Sequence, residues 1–361
     1  MKMRKIVCSF MISVVCFMTA ISGVSATSYD TSKINAAYSK VVEYYKNNNN
    51  LNNADKILAV ESLGLEAESN QFDTSSADLS STSLSKKIVT EVLLGVDPTE
   101  DKETLESQID ENGNVEGSWG ASSDVWTLYA LYATSSEKTN LLADKLNTDL
   151  ASSSVCGYEW GGTYYADYDT TGWVIEGLAV VNKEKYATTI NKAIDYIKNN
   201  TTMTTTGWVT ADNVDTQSQV LEGMFAYDAN ALLNDSYTVH PVDCLLNTQL
   251  SDGSFPSGYN AEYTTAEVAK TLGTYKNGSV IIKAKKAYDK MMNPEQPDNT
   301  KPAQPTDTKK DSQSTNKVET TNQKTTSVKT GDETNVVIFV SLSMVSGGLF
   351  LVLRKEYERA H

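Results

Sequence analysis

The sequence predicts an all-α fold built from helix pairs that repeat along the chain. Apolar residues recur at helical spacing from residue 32 to residue 292, and few stretches alternate as a half-buried strand would. Glycine-containing turns that lead into a helix recur about every 45 residues. A period of this length with two helices in each unit is typical of an α-helical array.

The first element is an export signal at residues 1–26. Three basic residues within the first five precede a mostly apolar run, and small residues lead up to Ala26. This order is that of a secretory signal peptide, with cleavage expected between Ala26 and Thr27. The alternative is a membrane anchor that is never cut, for which the apolar run is short.

About twelve helices are expected in the domain that follows, at residues 27–293. The first places Ile34, Ala37, Val41 and Tyr44 on one face, which is the apolar stripe of an amphipathic helix. The expected ranges are 32–45, 54–65, 84–95, 101–109, 122–134, 138–150, 170–182, 184–198, 215–229, 239–249, 263–275 and 279–291.

The repeat is clearest where glycine-containing turns precede four of these helices. Glycine permits a tight turn, and an aromatic side chain beside it can fill the gap between neighbouring helix pairs. Trp119, Trp208 and Phe255 are expected in that role. Small residues such as Gly177 and Gly223 would let adjacent helices approach closely.

Residues 245–255 resemble the Gln-to-aromatic repeat motif of the terpene cyclase and protein prenyltransferase superfamily. Residues 93–99 and 263–268 resemble secreted bacterial members of that group, which are distant relatives of the corrinoid-binding α domains of transcobalamin and intrinsic factor. The resemblance covers about residues 33–292 and implies an α/α toroid, with about six helix pairs around a central cavity. It indicates a fold more than a function, because one fold hosts many functions.

A disordered stalk and a membrane tail are predicted after this domain. Residues 294–329 are rich in Pro, Thr and Lys and contain no aromatic residue, so they cannot bury enough apolar surface to fold. Residues 336–353 carry no charge and are followed at once by Arg354 and Lys355. This is the pattern of a transmembrane helix with cations on its inner side.

Residues 327–361 resemble the cell-wall sorting signal of Gram-positive surface proteins. The Lys-Thr-Gly sequence, the apolar span and the basic end match, whereas Ser-Val stands in place of the usual Leu-Pro. The resemblance implies that a sortase cuts between Thr330 and Gly331 and links the chain to peptidoglycan. Sortase and peptidoglycan are then partners, and the chain is anchored in the cell wall. The alternative is a plain anchor in the membrane.

Charge and histidine content exclude several classes of function. The whole chain has a net charge of −15, and residues 27–330 carry 25 basic and 42 acidic side chains. Such an acidic body repels phosphate backbones, so no nucleic-acid partner is expected. With only His240 and His361 as histidines, a Ser-His-Asp triad or a multi-histidine metal site lacks its residues. Neither a metal nor a cofactor is expected.

Cys156 and Cys244 are the cysteines that remain after removal of the signal. In an exported chain such a pair suggests a disulfide, and two buried thiols are the alternative.

Aromatic residues before and within the helix at 170–182, together with Trp126 of the helix at 122–134, are the predicted ligand site. Aromatic rings at the mouth of a toroid could stack on sugar rings or on a flat macrocycle, and a nearby carboxylate could add hydrogen bonds. Repeat packing is the alternative role for these rings. The candidate ligand-binding residues are Glu159, Trp160, Tyr164, Tyr165, Tyr168, Trp126 and Trp173.

Asp167 and Asp169 are the candidate catalytic pair if the protein is an enzyme. Their Asp-x-Asp-Thr-Thr sequence resembles the acidic motif of class II terpene cyclases, and two close carboxyls can divide into an acid and a conjugate base. The alternative is that Asp169 caps a helix and Asp167 is a solvated turn residue. A non-catalytic surface module that binds a glycan, a corrinoid or a protein is therefore weighed against a carbohydrate lyase or hydrolase, or cyclase-like acid catalysis.

Overall fold

The structure, a computed structural model, describes residues 29–68, 72, 80–205, 213–257 and 260–294, without the side chains of residues 159 and 160. Several predicted features lie outside the described residues: the signal peptide with its cleavage site at Ala26 and Thr27, the stalk from residue 295, the sortase site at Thr330 and Gly331, and the transmembrane segment 336–353. Within the described part, no helix has both the length and the apolar character needed to cross a membrane.

The described residues are mostly helical, which confirms the all-α prediction. They contain eleven helices and one two-stranded antiparallel sheet. The helices are α1 (Ser32–Asn47), α2 (Ala54–Ser62), α3 (Ser81–Leu93), α4 (Thr99–Ser107), α5 (Ala121–Ala133), α6 (Thr139–Ser153), α7 (Tyr168–Asn200), α8 (Val214–Asn234), α9 (Pro241–Leu246), α10 (Ala261–Asn277) and α11 (Val280–Met292). The strands are β1 (Gly157–Trp160) and β2 (Thr163–Ala166).

Helices α7 and α8 each contain an internal break. The backbone is non-helical at Asn182 in α7 and at Asp228 in α8. Each of these side chains accepts a hydrogen bond from a backbone N–H three residues further on, that of Lys185 or Ala231. Asn182 and Asp228 therefore cap the second half of their helix, and Asn182 is the boundary between two helices that the sequence predicts separately.

Six helices pack side by side in a closed order. Helix α2 packs against α3, α3 against α5, α5 against α7, α7 against α8, α8 against α10, and α10 again against α2. Helix α5 is buried almost all round, whereas α1 buries only one stripe, made by Ile34, Ala37, Val41 and Tyr45. All-round burial is what a helix inside the core requires, and a single stripe is what a surface helix requires.

Helices α5 and α7 of this order run in the same direction. Trp126 of α5 meets Trp173 of α7, and one turn further along each helix Tyr129 donates a hydrogen bond to Glu176. The last helix, α11, packs against α3 and α5, and its first residue Val280 borders the same interior space as Trp126.

Two glycines allow α7 and α8 to touch. A Cβ atom on Gly172 would lie 2.4 Å from the carbonyl oxygen of Gln219, and one on Gly223 would lie 2.3 Å from the carbonyl oxygen of Gly172. Real Cβ atoms are not found so close to backbone atoms, so both positions require glycine. The prediction that Gly223 permits close packing is confirmed, and Gly177 faces tight contacts of 3.2 to 3.3 Å with side chains of α5.

The hairpin that precedes α7 is not predicted by the sequence analysis. Its two strands pair Tyr158 with Tyr165, and the two-residue turn between them is Gly161-Gly162. Both glycines have positive φ angles, 58° and 78°. Positive φ at both central positions is the geometry of the turn that suits the twist of a two-residue hairpin, and glycine adopts it without strain.

Candidate functional site

Exposed aromatic rings are concentrated on the hairpin. The exposed fraction is 52% for Tyr158 and 44% for both Tyr164 and Tyr165. The rings of Tyr158 and Tyr165 are stacked, with centroids 5.6 Å apart and an interplanar angle of 19°. We call Tyr158 and Tyr165 the tyrosine pair. Trp160 lies in β1 opposite Thr163, but its side chain and that of Glu159 are outside the described part.

Hydrogen bonds fix the base of the hairpin to the start of α7. The backbone N–H of Asp167 donates to the carbonyl oxygen of Cys156 over 2.7 Å. The N–H of Cys156 donates in turn to the hydroxyl of Thr171 over 2.9 Å, and the hydroxyl of Tyr164 donates to the carbonyl oxygen of Val155 over 2.9 Å. These hydrogen bonds connect the hairpin that carries the tyrosine pair to α7 and to Val155. An isolated two-stranded sheet is only marginally stable, so these contacts stabilise the hairpin.

A further exposed aromatic residue lies at the same end of the packed helices. Trp119 is 56% exposed and comes just before α5, as the hairpin comes just before α7. Because α5 and α7 run in the same direction, these two segments lie at the same end. The prediction that Trp119 fills a gap between helices is wrong, whereas the same prediction for Phe255 is confirmed by its complete burial. Trp208 is outside the described residues.

Asp167 and Asp169 directly follow the hairpin in the chain, at the start of α7. Asp167 is the N-cap of α7, and its side chain accepts hydrogen bonds from the N–H and the hydroxyl of Thr170, over 3.0 and 2.7 Å. Asp169 is buried in the first turn. The sequence leaves open the alternative that Asp169 caps the helix and Asp167 is a solvated turn residue. This alternative is wrong, because Asp167 is the cap and Asp169 is buried.

Asp169 has the properties of a carboxyl that keeps its proton at neutral pH. Burial raises its pKa to about 8, and the nearby carboxylates of Asp167 and Asp215 act in the same direction. A hydrogen bond with Thr216 opposes these effects. Burial also raises the pKa of Asp167. Such a pair can hold one proton between two carboxyls, which is the arrangement of an acid beside its conjugate base.

Trp126 and Trp173 do not belong to an exposed rim, which corrects their assignment as residues of the cavity mouth. Each is 1% exposed, and their rings pack edge to face with centroids 6.5 Å apart. The ammonium groups of Lys86 and Lys270 lie 4.6 and 5.8 Å from the centroid of Trp126. Both tryptophans are therefore core residues, and Trp126 stabilises two buried cations through its ring. Tyr168 is half-buried and packs against the core.

Sequence reasoning missed a set of charged residues inside the packed helices. Glu176, Glu222 and Glu267 are each 1% exposed, and Lys86 and Lys270 are each 3% exposed. Lys270 lies 2.9 Å from Glu222 and Lys86 lies 2.8 Å from Asp55. A charged residue in the middle of an apolar helical run, as in Val174-Ile175-Glu176-Gly177-Leu178, is the signal that could have found them.

This interior set holds more carboxyl groups than ammonium groups. Burial raises the pKa values of Glu222 and Glu267 well above the ordinary range, and burial lowers the pKa of Lys86 to about 8. Gln219 donates a hydrogen bond to one oxygen of Glu267, and Tyr129 donates to one oxygen of Glu176 over 2.8 Å. These hydrogen bonds join α8 to α10 and α5 to α7, and the side chains that make them are closed to solvent.

The two cysteines are not joined by a disulfide. Cys156 is buried and Cys244 is half-buried, and burial raises the pKa values of both thiols. Of the two alternatives that the sequence leaves open, the structure thus has the unbridged one. Among the described residues, no group of three or more His, Cys, Asp or Glu side chains could hold a metal ion.

No protein-family model matches the chain, and comparisons with curated proteins and with solved structures found no match.

Proposed function

We propose that this protein is a cell-surface module that binds a glycan through the tyrosine pair on its hairpin. The observation that supports this function is the stacked, half-exposed pair Tyr158 and Tyr165, held in place by the hydrogen bonds at the hairpin base. Flat aromatic rings bury the apolar faces of sugar rings well. The acidic body disfavours polyanionic ligands, which leaves neutral and cationic glycans as the suitable class.

The fold proposed for this module is the α/α toroid. It is supported by the closed packing order of α2, α3, α5, α7, α8 and α10 and by the repeat motif at residues 245–255. In this arrangement the hairpin and Trp119 lie at one mouth of the ring. The interior is filled by Trp126, the buried charged residues and the start of α11, so the ligand binds at the mouth and not in the centre.

Attachment to the surface is proposed from sequence alone. The signal at residues 1–26 would direct export, the stalk at 294–329 would span the wall, and the tail at 327–361 would be processed by a sortase that links Thr330 to peptidoglycan. An exported module on a stalk presents its mouth to polysaccharides outside the cell. A corrinoid or a protein ligand at the same mouth is the competing outcome.

The experiment is a ligand screen by thermal unfolding of the purified chain. Soluble peptidoglycan strands, cellulose and xylan oligosaccharides, a corrinoid and an isoprenoid diphosphate would each be added in excess. A ligand at a hundred times its dissociation constant stabilises the folded state by about 2.7 kcal/mol. A rise in melting temperature with an oligosaccharide supports the proposal, and a rise only with the corrinoid or the diphosphate contradicts it.

Acid catalysis by Asp169 is the second candidate function. The specific observation in its favour is the buried carboxyl of Asp169, with a pKa of about 8 and the carboxylate of Asp167 nearby, at the start of the helix that follows the hairpin. In this case the protonated Asp169 would donate its proton to the leaving oxygen as the glycosidic C–O bond breaks, and the Asp167 carboxylate would act as the general base that takes a proton from the attacking water. New reducing ends or unsaturated products from a polysaccharide would support it. An Asp169→Asn variant with full activity would exclude Asp169 as the acid.

A further inference from the structure

The first described residues of the chain are held against the far end of α8 and against α9. The hydroxyl of Tyr29 donates a hydrogen bond to Asp243 over 2.7 Å, and its backbone N–H donates to the carbonyl oxygen of Leu233 over 3.4 Å. Lys33 forms an ion pair with the same carboxylate of Asp243 over 2.9 Å. These contacts join parts of the sequence that are more than 200 residues apart.

His240 is at the centre of this contact. It is the N-cap of α9, where Nδ1 of its ring accepts a hydrogen bond from the backbone N–H of Val242 over 3.2 Å. The ring lies 4.3 Å from the ring of Tyr29 and 5.0 Å from that of Tyr237. Because Nδ1 is an acceptor, the ring must be neutral with its proton on Nε2.

We propose that His240 is an acid-sensitive latch, and that its protonation undocks Tyr29 from α9. A proton on Nδ1 would face the N–H of Val242, donor against donor, so the helix cap would be lost. The ring would then leave its place between the two tyrosines. Tyr29 would lose its ring partner, and its backbone N–H would separate from the carbonyl oxygen of Leu233.

The groups around His240 exert opposing effects on its charge. The carboxylates of Asp243 and Asp235 favour the protonated ring, whereas Lys33 disfavours it. Burial is the largest effect and lowers the pKa of the imidazole below its ordinary value of 6.5. The tyrosine hydroxyls stay protonated throughout, because the pKa values of Tyr29 and Tyr237 are raised by burial. The latch therefore holds at neutral pH and opens in mild acid.

Because the pKa of His240 is lowered in the docked state, docking depends on pH. The docked state binds the proton on His240 less tightly than the undocked state does, so docking is strongest above pH 6.5. Docking weakens as the pH falls below 6.5 and through the lower pKa that His240 has in the docked state. Each unit of lowering corresponds to a factor of about ten in the docking equilibrium.

The test uses the full chain with a His361→Gln substitution, which leaves His240 as its one histidine. An NMR titration then gives the pKa of His240 directly, and amide hydrogen exchange reports docking of residues 29–35 at pH 7.5 and pH 5. We expect a pKa below 6.5 and a loss of exchange protection in acid, after correction for intrinsic exchange rates. A pKa of 6.5 or higher would overturn the proposal, as would equal protection at both pH values.

His240→Asn is the matched variant, because asparagine caps helices well and does not titrate in this range. Its residues 29–35 are expected to keep the same protection at pH 5 as at pH 7.5. If this variant loses protection in acid as the parent does, the proton acts elsewhere and the latch is not His240. If residues 29–35 of this variant are not protected even at pH 7.5, the NMR titration of the parent decides. A pKa of His240 below 6.5 then supports the latch, and a pKa of 6.5 or higher overturns it.

Discussion

Glu222 Oε2 and Lys270 Nζ lie 2.9 Å apart inside the packed helices, and only 1% and 3% of their side chains are exposed. The hydroxyl of Thr274 lies 3.3 Å from the second oxygen of Glu222. The pair joins α8 to α10 in a region that is shielded from solvent. Each group loses its water on burial, so removal of one leaves the other buried without its ion-pair partner.

Lys270→Met should therefore be strongly destabilising. Removal of one partner of a buried ion pair costs about 3–5 kcal/mol of unfolding free energy, measured by chemical denaturation. The double variant Glu222→Leu with Lys270→Met should recover much of that loss. Lys276→Met is the control on the same helix, because Lys276 makes an exposed hydrogen bond with Asn35 and a cation–π contact with Tyr38 at 5.8 Å, rather than an ion pair with a buried carboxylate. A Lys270→Met variant as stable as Lys276→Met would contradict the prediction.

Asp169 should make the folded state less stable as pH rises. Its folded pKa of about 8 is above the value of an unfolded aspartate, so its contribution is complete below about pH 4 and is lost as pH rises through 8. The unfolding free energy should thus fall between pH 5 and pH 9. Asp169→Asn mimics the protonated form and should reduce that fall, whereas Asp252→Asn, at an exposed carboxyl, should not. If the unfolding free energy falls equally steeply with pH in the parent and in both variants, Asp169 does not titrate between about pH 5 and pH 9.

Gly223→Ala should disrupt the contact between α7 and α8. Its Cβ would lie 2.3 Å from the carbonyl oxygen of Gly172, and backbone atoms cannot rotate away as a side chain can. Overpacking costs about 1–3 kcal/mol, and we expect the upper part of that range or more. Gly177→Ala meets only side-chain atoms at 3.2 to 3.3 Å and should cost less. The denaturation midpoints of the two variants measure these costs. A larger loss of stability in Gly177→Ala than in Gly223→Ala would contradict the close backbone contact.

Cys156 and Cys244 should both be present as thiols. Protein unfolded under non-reducing conditions and alkylated should yield both cysteines in modified form by peptide mapping. In the folded protein Cys156 should react far more slowly than Cys244, since it is buried and burial raises the pKa of its thiol. Recovery of a peptide in which the two cysteines are linked would contradict the structure.

The helices of this fold could be predicted because each one buries a stripe or a whole surface of apolar residues. The expected range 122–134 differs by one residue from α5, and the boundary near residue 182 is the cap at Asn182. The order in which helices pack could not be derived from periodicity alone, since it depends on which side chains meet across the chain. The ion pair of Glu222 with Lys270 is such a contact.

The candidate site could be predicted only in part. The sequence indicates Tyr164 and Tyr165 as ligand-binding residues and Asp167 and Asp169 as a catalytic pair if the protein is an enzyme. In the structure the tyrosines lie on β2 and the aspartates at the start of α7. The hairpin itself was missed, although the dipeptide Gly161-Gly162 between two aromatic segments is a recognised turn signal.

The sequence did not show which of the aromatic side chains are buried and which are exposed. Trp126 and Trp173 were assigned to the rim, because a helix buried on all sides gives no sequence signal of which side faces a cavity. The sequence predicts that Trp119 fills a gap between helices, and in the structure it is exposed.

The most direct test of the central claim is calorimetric titration of the oligosaccharide that stabilises the protein most. The double variant Tyr158→Ala with Tyr165→Ala should bind it about thirtyfold more weakly, because two aromatic contacts contribute about 2 kcal/mol. Met292→Ala, at an exposed apolar residue on the last helix, should bind it as the parent does. Unchanged affinity in the double tyrosine variant, with the fold intact by circular dichroism, would contradict a glycan site on the hairpin.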